Sequence, residues 1–343
     1  QLITNQSNTF SKPSNLTLTD NDHQLTIMHL LIYITLPALK TRNDLLPAIS
    51  SLLINKSIKS ANSAMIAFAY SLHASLLVRD DKTLKKGIEL SKIVLQLLTE
   101  SDSATTLKTK CLLHSFVLPW TQHTKTNITP LQSVYQVGMN SGNLDYAIIA
   151  KFNACSQMFL CGMPLEYIHK TQIEYKDKIN NSHYPIDNDW HTICNTLLTQ
   201  MLAKEHSHKS LSKLSLHFPE WIKKGQHTIV FISSYCQLFY AYIFGDYKQA
   251  ITIAQYAENF QEDSKSAIYY SDYLFYYALS LLADYLQQDK ETQQQYLIKT
   301  EQILKKFKNW AHYAEMNFQH RYHLLAAETA RVHNQQWLAV TLY

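Results

Sequence analysis

The sequence predicts an all-α chain, built as a solenoid of paired helices, and three observations carry that prediction. Glycine and proline are scarce, at 6 and 8 of 343 residues, while Leu, Ala, Lys and Gln are plentiful. That composition suits long helices joined by short turns rather than the glycine-rich ligand loops of α/β enzymes. The chain is 46% hydrophobic and 17% charged. It has ample material for a core, and its apolar residues recur at helical spacing. Finally, no window of four to eight residues alternates apolar and polar between turn signals as a strand does.

Residues 1–18 are rich in Ser, Thr and Asn and read as a linker. Asp20 or Asp22 can cap a helix running to about Arg42, with Pro37 placed to kink or divide it. Asn43-Asp44 caps the next, whose apolar face holds Leu45, Leu46, Ile49, Leu52 and Leu53. Residues 61–79 are apolar nearly all round, so that helix is covered on several sides. Asp80-Asp81 turns the chain into an amphipathic helix over 82–99, and Ser103 starts another ending near Trp120. Pro130 sits in the first turn of a helix over 129–140. Ser141-Gly142-Asn143 stops it and starts the buried-type helix 144–160. Gly162 and Pro164 break that helix before 165–180, and His183-Tyr184-Pro185 is a loop and a possible sub-boundary near 181–187. Helices follow over about 188–204 and 220–244, with a weaker one over 206–218. Gly245-Asp246-Tyr247 turns the chain into 248–260. The last segments are 265–287, 290–312 and 317–333, and a helix from Gln335 is still running at Tyr343. Residues 19–343 thus form one continuous helical domain.

A local pattern recurs at 79–93, 141–152, 244–258 and 333–343. A buried helix ends in a small or acidic turn, and an amphipathic helix follows that carries an aromatic or Leu and an Ala or Gly. This is the sequence habit of tetratricopeptide-type hairpins, in which the small residue lets two helices approach and the aromatic wedges the pair. The spacing is irregular, so the expected fold is a right-handed α-solenoid of degenerate tetratricopeptide-like hairpins.

The chemistry the sequence lacks narrows the function. It holds no GxxxxGK[ST], GxGxxG, GxSxG, HRD, DFG, HExxH or CxxC. The expectation is a segment that is not an enzyme, with no catalytic residues, cofactor or metal. The net charge of +4 is small and dispersed, which gives no nucleic-acid footprint. The longest apolar runs, such as Met28–Leu39, are too short and too interrupted to span a bilayer. Five cysteines without a paired spacing read as free thiols in a reducing, cytoplasmic setting. Cys155 and Cys161 are six apart, do not share a helix face and read as core thiols. The chain opens at Gln1, its first methionine is Met28 and it closes inside a helical pattern, so it reads as a piece of a longer protein.

Several side-chain groups are candidates for more than packing. Tyr269, Tyr270, Tyr273, Tyr276 and Tyr277, with Phe275, could line a peptide groove on a concave face; the competing reading, which helical spacing favours, packs them between helices. His206 and His208, and the trio His312, His320 and His323, are the densest histidine groups. His320 and His323 lie i,i+3 on one helix without an acidic or Cys partner at a fitting offset, so packing or surface positions outweigh ligation. Glu262-Asp263 and Asp187–Asp189 fall at helix starts, where carboxylates favour the dipole. The stretch Lys305-Lys306-Phe307-Lys308 reads as a solvated helix face.

The runs 270–285 and 293–343, together with 60–98, 135–162 and 242–258, resemble the helical region of large multidomain bacterial and cyanobacterial signalling kinases. Those proteins join a serine/threonine-kinase-like domain, a STAND-type ATPase of the AAA-related kind, a helical repeat region, a GAF domain and a histidine kinase. The likeness lies in packing pattern and order and carries no catalytic residue onto this chain; residues 160–230 depart from it. It implies a non-catalytic scaffold that binds protein, either other domains of its own chain or a signalling partner, and couples a signal to kinase or ATPase output. The alternatives are a small-molecule sensor with a ligand between helices, in the segment 269–277 or 312–323, and a stand-alone helical adaptor.

Overall fold

The computed structural model describes residues 22–57, 62–98, 103–179, 185–203 and 209–343, without the side chains of 175–179, 185–188, 209 and 210. The expected linker, the caps at Asp20 and the pair His206 and His208 lie outside these residues, as does most of the possible sub-boundary near 181–187. Among the described residues every regular element is a helix. No described helix is long and apolar enough to cross a membrane. The chain divides into two compact units, each taken by itself below.

The first unit comprises the described parts of Gln1–Leu118 with Thr129–Lys151. It holds α1 (Asp22–Thr41), α2 (Leu46–Ser57), α3 (Ser63–Leu77), α4 (Leu84–Leu97), α5 (Ala104–Phe116), most of α6 (Ile128–Asn140) and the first half of α7 (Leu144–Leu160). Neighbours pack in sequence, α1 on α2, α2 on α3 and α3 on α4, while α3 also lies against α5. Helix α3 is the centre, buried on all sides from Met65 to Leu77 as its all-round apolar sequence requires. Its first turn is capped by Asn62, whose Oδ1 accepts from the Met65 N–H at 3.2 Å. Ser103 caps α5 in the same way, accepting from the Thr106 N–H at 3.1 Å. Two expectations need adjusting. Pro37 lies inside α1 without dividing it. Asn43–Leu45 form a short 3-10 turn ahead of α2 instead of a side-chain cap.

The second unit comprises Pro119–Ile128 and the described parts of Phe152–Tyr343. After α7 come α8 (Leu165–Ile179), α9 (Pro185–Leu202), the short α10 (Lys209–Ser212) and α11 (Phe218–Lys223). Then follow α12 (His227–Ile243), α13 (Tyr247–Ala257), α14 (Tyr269–Asp284), α15 (Lys290–Tyr313), α16 (Glu315–Val332) and α17 (Gln336–Leu342). The expected single helix over 220–244 is two, because Gly225 takes φ +70° and ends α11. From α12 onward the packing is regular. Helices pair as α12 with α13, α14 with α15 and α16 with α17; α12 also packs on α14, and α14 on α16.

The recurring turns share one construction. The small residue always stands fourth in the second helix: Gly87 in α4, Ala147 in α7, Ala250 in α13 and Ala339 in α17, all buried. A Cβ added at Gly87 would stand 2.8 Å from Val78 Cγ1 and 3.1 Å from the Ala74 carbonyl oxygen, so a side chain there would force its neighbours to shift. The preceding helix is closed by a left-handed residue in three of these turns, at Gly142 with φ +77° and at two further positions. Gly245 has φ +80°, and the Asp246 N–H behind it reaches the Ala241 carbonyl at 2.9 Å. Asn334, at φ 57°, does the same work for α16, with the Gln335 N–H on the Ala330 carbonyl at 2.9 Å. Both are Schellman closures, which need a residue that tolerates positive φ. Asp246 then caps α13 through the Gln249 N–H at 3.2 Å.

Candidate functional site

The Tyr-rich segment is one side of α14, a helix buried almost all round. Tyr269, Tyr270, Tyr273 and Tyr277 are buried and Tyr276 is half-buried. Their spacing along the helix directs them to different neighbours. Tyr273 meets Phe231 of α12 edge-on at 4.9 Å, and its hydroxyl donates to the Ala254 carbonyl of α13 at 2.8 Å. The Tyr270 hydroxyl donates to Gln261 Oε1 at 3.2 Å. Tyr276 lies against Phe239 at 4.9 Å and Tyr242 at 5.2 Å, and the Lys299 ammonium sits over the Tyr277 ring at 5.4 Å. Burial raises the pKa of Tyr273, Tyr276 and Tyr277 above the ordinary phenol value, so these hydroxyls stay protonated. They hold helices together and present little surface for a peptide.

Between these rings runs a charged connection. Asp272 is buried on α14; its Oδ2 accepts from the Tyr235 hydroxyl of α12 at 2.5 Å, and its Oδ1 faces Arg321 Nη2 of α16 at 2.7 Å. The Arg321 guanidinium also lies 5.4 Å from the centre of the Phe275 ring and donates weakly to Ser271 Oγ at 3.4 Å. One carboxylate thus ties together the first helices of three successive hairpins. Burial and the adjoining Asp272 charge hold the Tyr235 hydroxyl protonated, well above its ordinary pKa.

Beside this connection is a cleft of about 210 Å³. It is lined by Arg321, His320 and Met316 of α16, by Ser271 and Ile268 at the start of α14, by Cys161 after α7, and by His123 and Thr124. The loop carrying that last pair is locked in place by buried groups. Asn317 Nδ2 donates to the carbonyls of Pro119 and Gln122, each at 2.8 Å, and its Oδ1 accepts from the Thr124 N–H at 3.0 Å. Trp120 Nε1 donates to the Ser266 carbonyl at 2.9 Å, while its ring stacks on Phe318 at 5.5 Å and meets Trp310 at 5.1 Å. His123 Nδ1 accepts from the Lys125 N–H at 3.0 Å, so in the neutral ring Nε2 carries the proton and is a donor. His320 lies on the cleft rim, and burial, the Arg321 charge and His123 push its pKa below the ordinary value. Burial holds the Cys161 thiol above its ordinary pKa, against the opposing pull of Lys125 and Arg321.

A second, apolar cavity of about 50 Å³ is lined by Cys155, Cys194, Cys236, Tyr235 and Tyr269 among others. It has room for about one or two waters. Burial pushes the Cys236 thiol up to about 12 and Cys194 well above its ordinary value, so these sulfurs are packing groups at neutral pH. The remaining sequence candidates are dispersed. His323 pairs with Gln319 at 3.0 Å on its own helix. Among the described residues no three His, Cys, Asp or Glu side chains group as metal ligands. Glu262 pairs with Lys265 at 2.5 Å, and Asp189 Oδ2 accepts from Trp221 Nε1 at 3.0 Å rather than capping a helix. Lys305 pairs with Glu301 at 3.0 Å on an exposed face, with Phe307 buried beneath it. The sequence reading missed Arg321, His123 and Asn317, whose partners and neighbours in the cleft lie far away along the chain, and took Cys161 for a core thiol, whereas it is half-buried in the cleft lining. Compared with protein-family models, with curated proteins and with solved structures, the chain matches none.

Proposed function

We propose that this chain is a non-catalytic regulatory scaffold, a right-handed α-solenoid of tetratricopeptide-like hairpins that binds protein. The observation that carries this reading is the row α12, α14, α16. The first helices of three successive hairpins pack on one another, and the second helix of one pair packs on the first helix of the next. In stacked hairpins of that kind each pair contacts mainly its neighbours, which leaves an extended surface free for a partner. The buried small residues at the fourth position of the second helices extend the pattern to four turns.

The likeness to the helical region of multidomain signalling kinases supports a more specific role. In such a parent the array couples partner or signal binding to an ATPase or kinase domain elsewhere in the chain, which requires two states with different contacts. The parent's protein partners are then its own flanking domains or a signalling protein, in the cytoplasm. An immunoblot of source cells with an antibody raised against residues 22–343 tests this. A band far larger than 39.7 kDa supports the multidomain parent, and a band near 39.7 kDa removes it and leaves a stand-alone adaptor.

A further inference from the structure

The cleft beside Arg321 has a composition that the scaffold role does not call for. Among the described residues that line it there is no carboxylate, whereas Arg321, His123 and His320 bring N–H groups to it. Asp272 takes one guanidinium nitrogen of Arg321 from behind, and Ser271 takes another only weakly. The remaining donors of the planar fork are in excess of these two acceptors. Leu160, Ile268, Met316 and Phe318 add apolar lining to the same cleft. Mostly apolar lining with a few convergent donors is the composition of a small-molecule site.

The walls are also held in advance. The loop carrying His123 and Thr124 is fixed by the three Asn317 hydrogen bonds and by Trp120 wedged against Trp310 and Phe318. A ligand therefore meets a formed site and spends little on ordering it. Size sets the class. Drug-sized ligands occupy roughly 300–1,000 Å³, and a cavity of about 150 Å³ accommodates benzene. The cleft at about 210 Å³ has room for benzene plus a carboxyl group.

We infer that the cleft between α14, α16 and the 119–128 loop binds a small organic carboxylate with a compact apolar body, its carboxylate toward Arg321 and the two histidines. This goes beyond the scaffold reading and stands independently of it. A carboxylate seated there would engage the same guanidinium that joins α16 to α14, so occupancy and the packing of the hairpins would be linked.

The test is a ligand-observed NMR titration of residues 22–343 with benzoate, phenylacetate and hexanoate, alongside benzyl alcohol and inorganic phosphate. At least one carboxylate is expected to saturate with a Kd of about 1 mM or tighter, which corresponds to about −4 kcal/mol. Benzyl alcohol, of the same shape without the charge, is expected to bind at least tenfold more weakly, and phosphate, without the apolar body, likewise. His320→Glu places a competing carboxylate on the exposed rim and should weaken the bound probe at least tenfold at an unchanged melting temperature. Met316→Glu, on the same helix, should do the same and serves where the first variant folds poorly. The inference is overturned if no carboxylate saturates, if benzyl alcohol or phosphate binds as tightly, or if both glutamate variants leave the affinity unchanged.

Discussion

Each unit buries a polar side-chain pair between helices, and the two are built in opposite ways. In the first unit, His73 of α3 lies 2% exposed with its Nδ1 3.0 Å from Ser50 Oγ of α2. Burial drives the His73 pKa down from 6.5 to about 4, so the pair is neutral at pH 7. In the second unit, Asp272 and Arg321 meet as an ion pair with the Tyr235 hydroxyl on the far carboxylate oxygen. The first arrangement avoids charge in the core. The second keeps it, satisfies both carboxylate oxygens and places the guanidinium at the edge of a cleft. A neutral buried pair serves packing; a buried charge that reaches a cavity can also serve a ligand.

The largest expected effect is at the ionic side of that comparison. Arg321→Met leaves Asp272 buried without its cation and should destabilise the protein by about 3–5 kcal/mol in urea unfolding. Adding Asp272→Asn should recover most of the loss. A loss under about 1 kcal/mol would show that water already reaches the carboxylate.

The neutral side predicts a pH effect. Because the folded His73 pKa lies below its unfolded value, the unfolded chain binds the proton first as pH falls. The contribution is complete above about pH 6.5 and is lost progressively between about 6.5 and 4, by at most about 3 kcal/mol. The difference in urea midpoint between His73→Gln and the wild type should therefore narrow from pH 7.5 to pH 5. A difference that stays constant would contradict the neutral buried ring.

Gly87→Ala asks whether the close approach of α3 and α4 outweighs helix propensity. Alanine gains about 1 kcal/mol in a helix interior. Against this, the new Cβ meets Val78 Cγ1 at 2.8 Å and, less yieldingly, the backbone oxygen of Ala74 at 3.1 Å. Overpacking costs about 1–3 kcal/mol, so a net loss of about 1 kcal/mol is expected in thermal unfolding, and a gain would mean the helices part freely. The smallest effect belongs to one of the helix closures, Asn334, while Gly245 ranks with Gly87. Asn334→Gly should change stability by a few tenths of a kcal/mol, while Gly245→Ala should cost about 1 kcal/mol, since alanine tolerates φ +80° poorly.

These regions also differ in what could be read beforehand. The hairpin turns were legible because their chemistry is local. Gly245-Asp246 closes one helix and caps the next within a few residues, and Ala250 follows at a fixed offset. The burial of α3 was legible from its all-round apolar sequence. Gly225 after Lys223-Lys224 is the same kind of local signal, and it separates α11 from α12 where the apolar pattern alone runs on. The cleft was not legible, because its parts meet only in three dimensions. Asn317 binds Pro119 and Gln122 from nearly two hundred residues away, and Arg321 reaches Asp272 across two helices. The spacing of His320 from His323 points to nothing; His320 lines the cleft together with Arg321 and His123. Periodicity reports which face of a helix is buried and is silent on which distant side chain will meet it.

The central claim is that the array regulates output made elsewhere in its own chain. The most direct measurement is autophosphorylation and ATP hydrolysis by the native protein, with and without an in-frame deletion of residues 22–343. The account predicts that the deletion changes basal output, or removes its response to signal, with the flanking domains still folded. Unchanged output and unchanged response would contradict it.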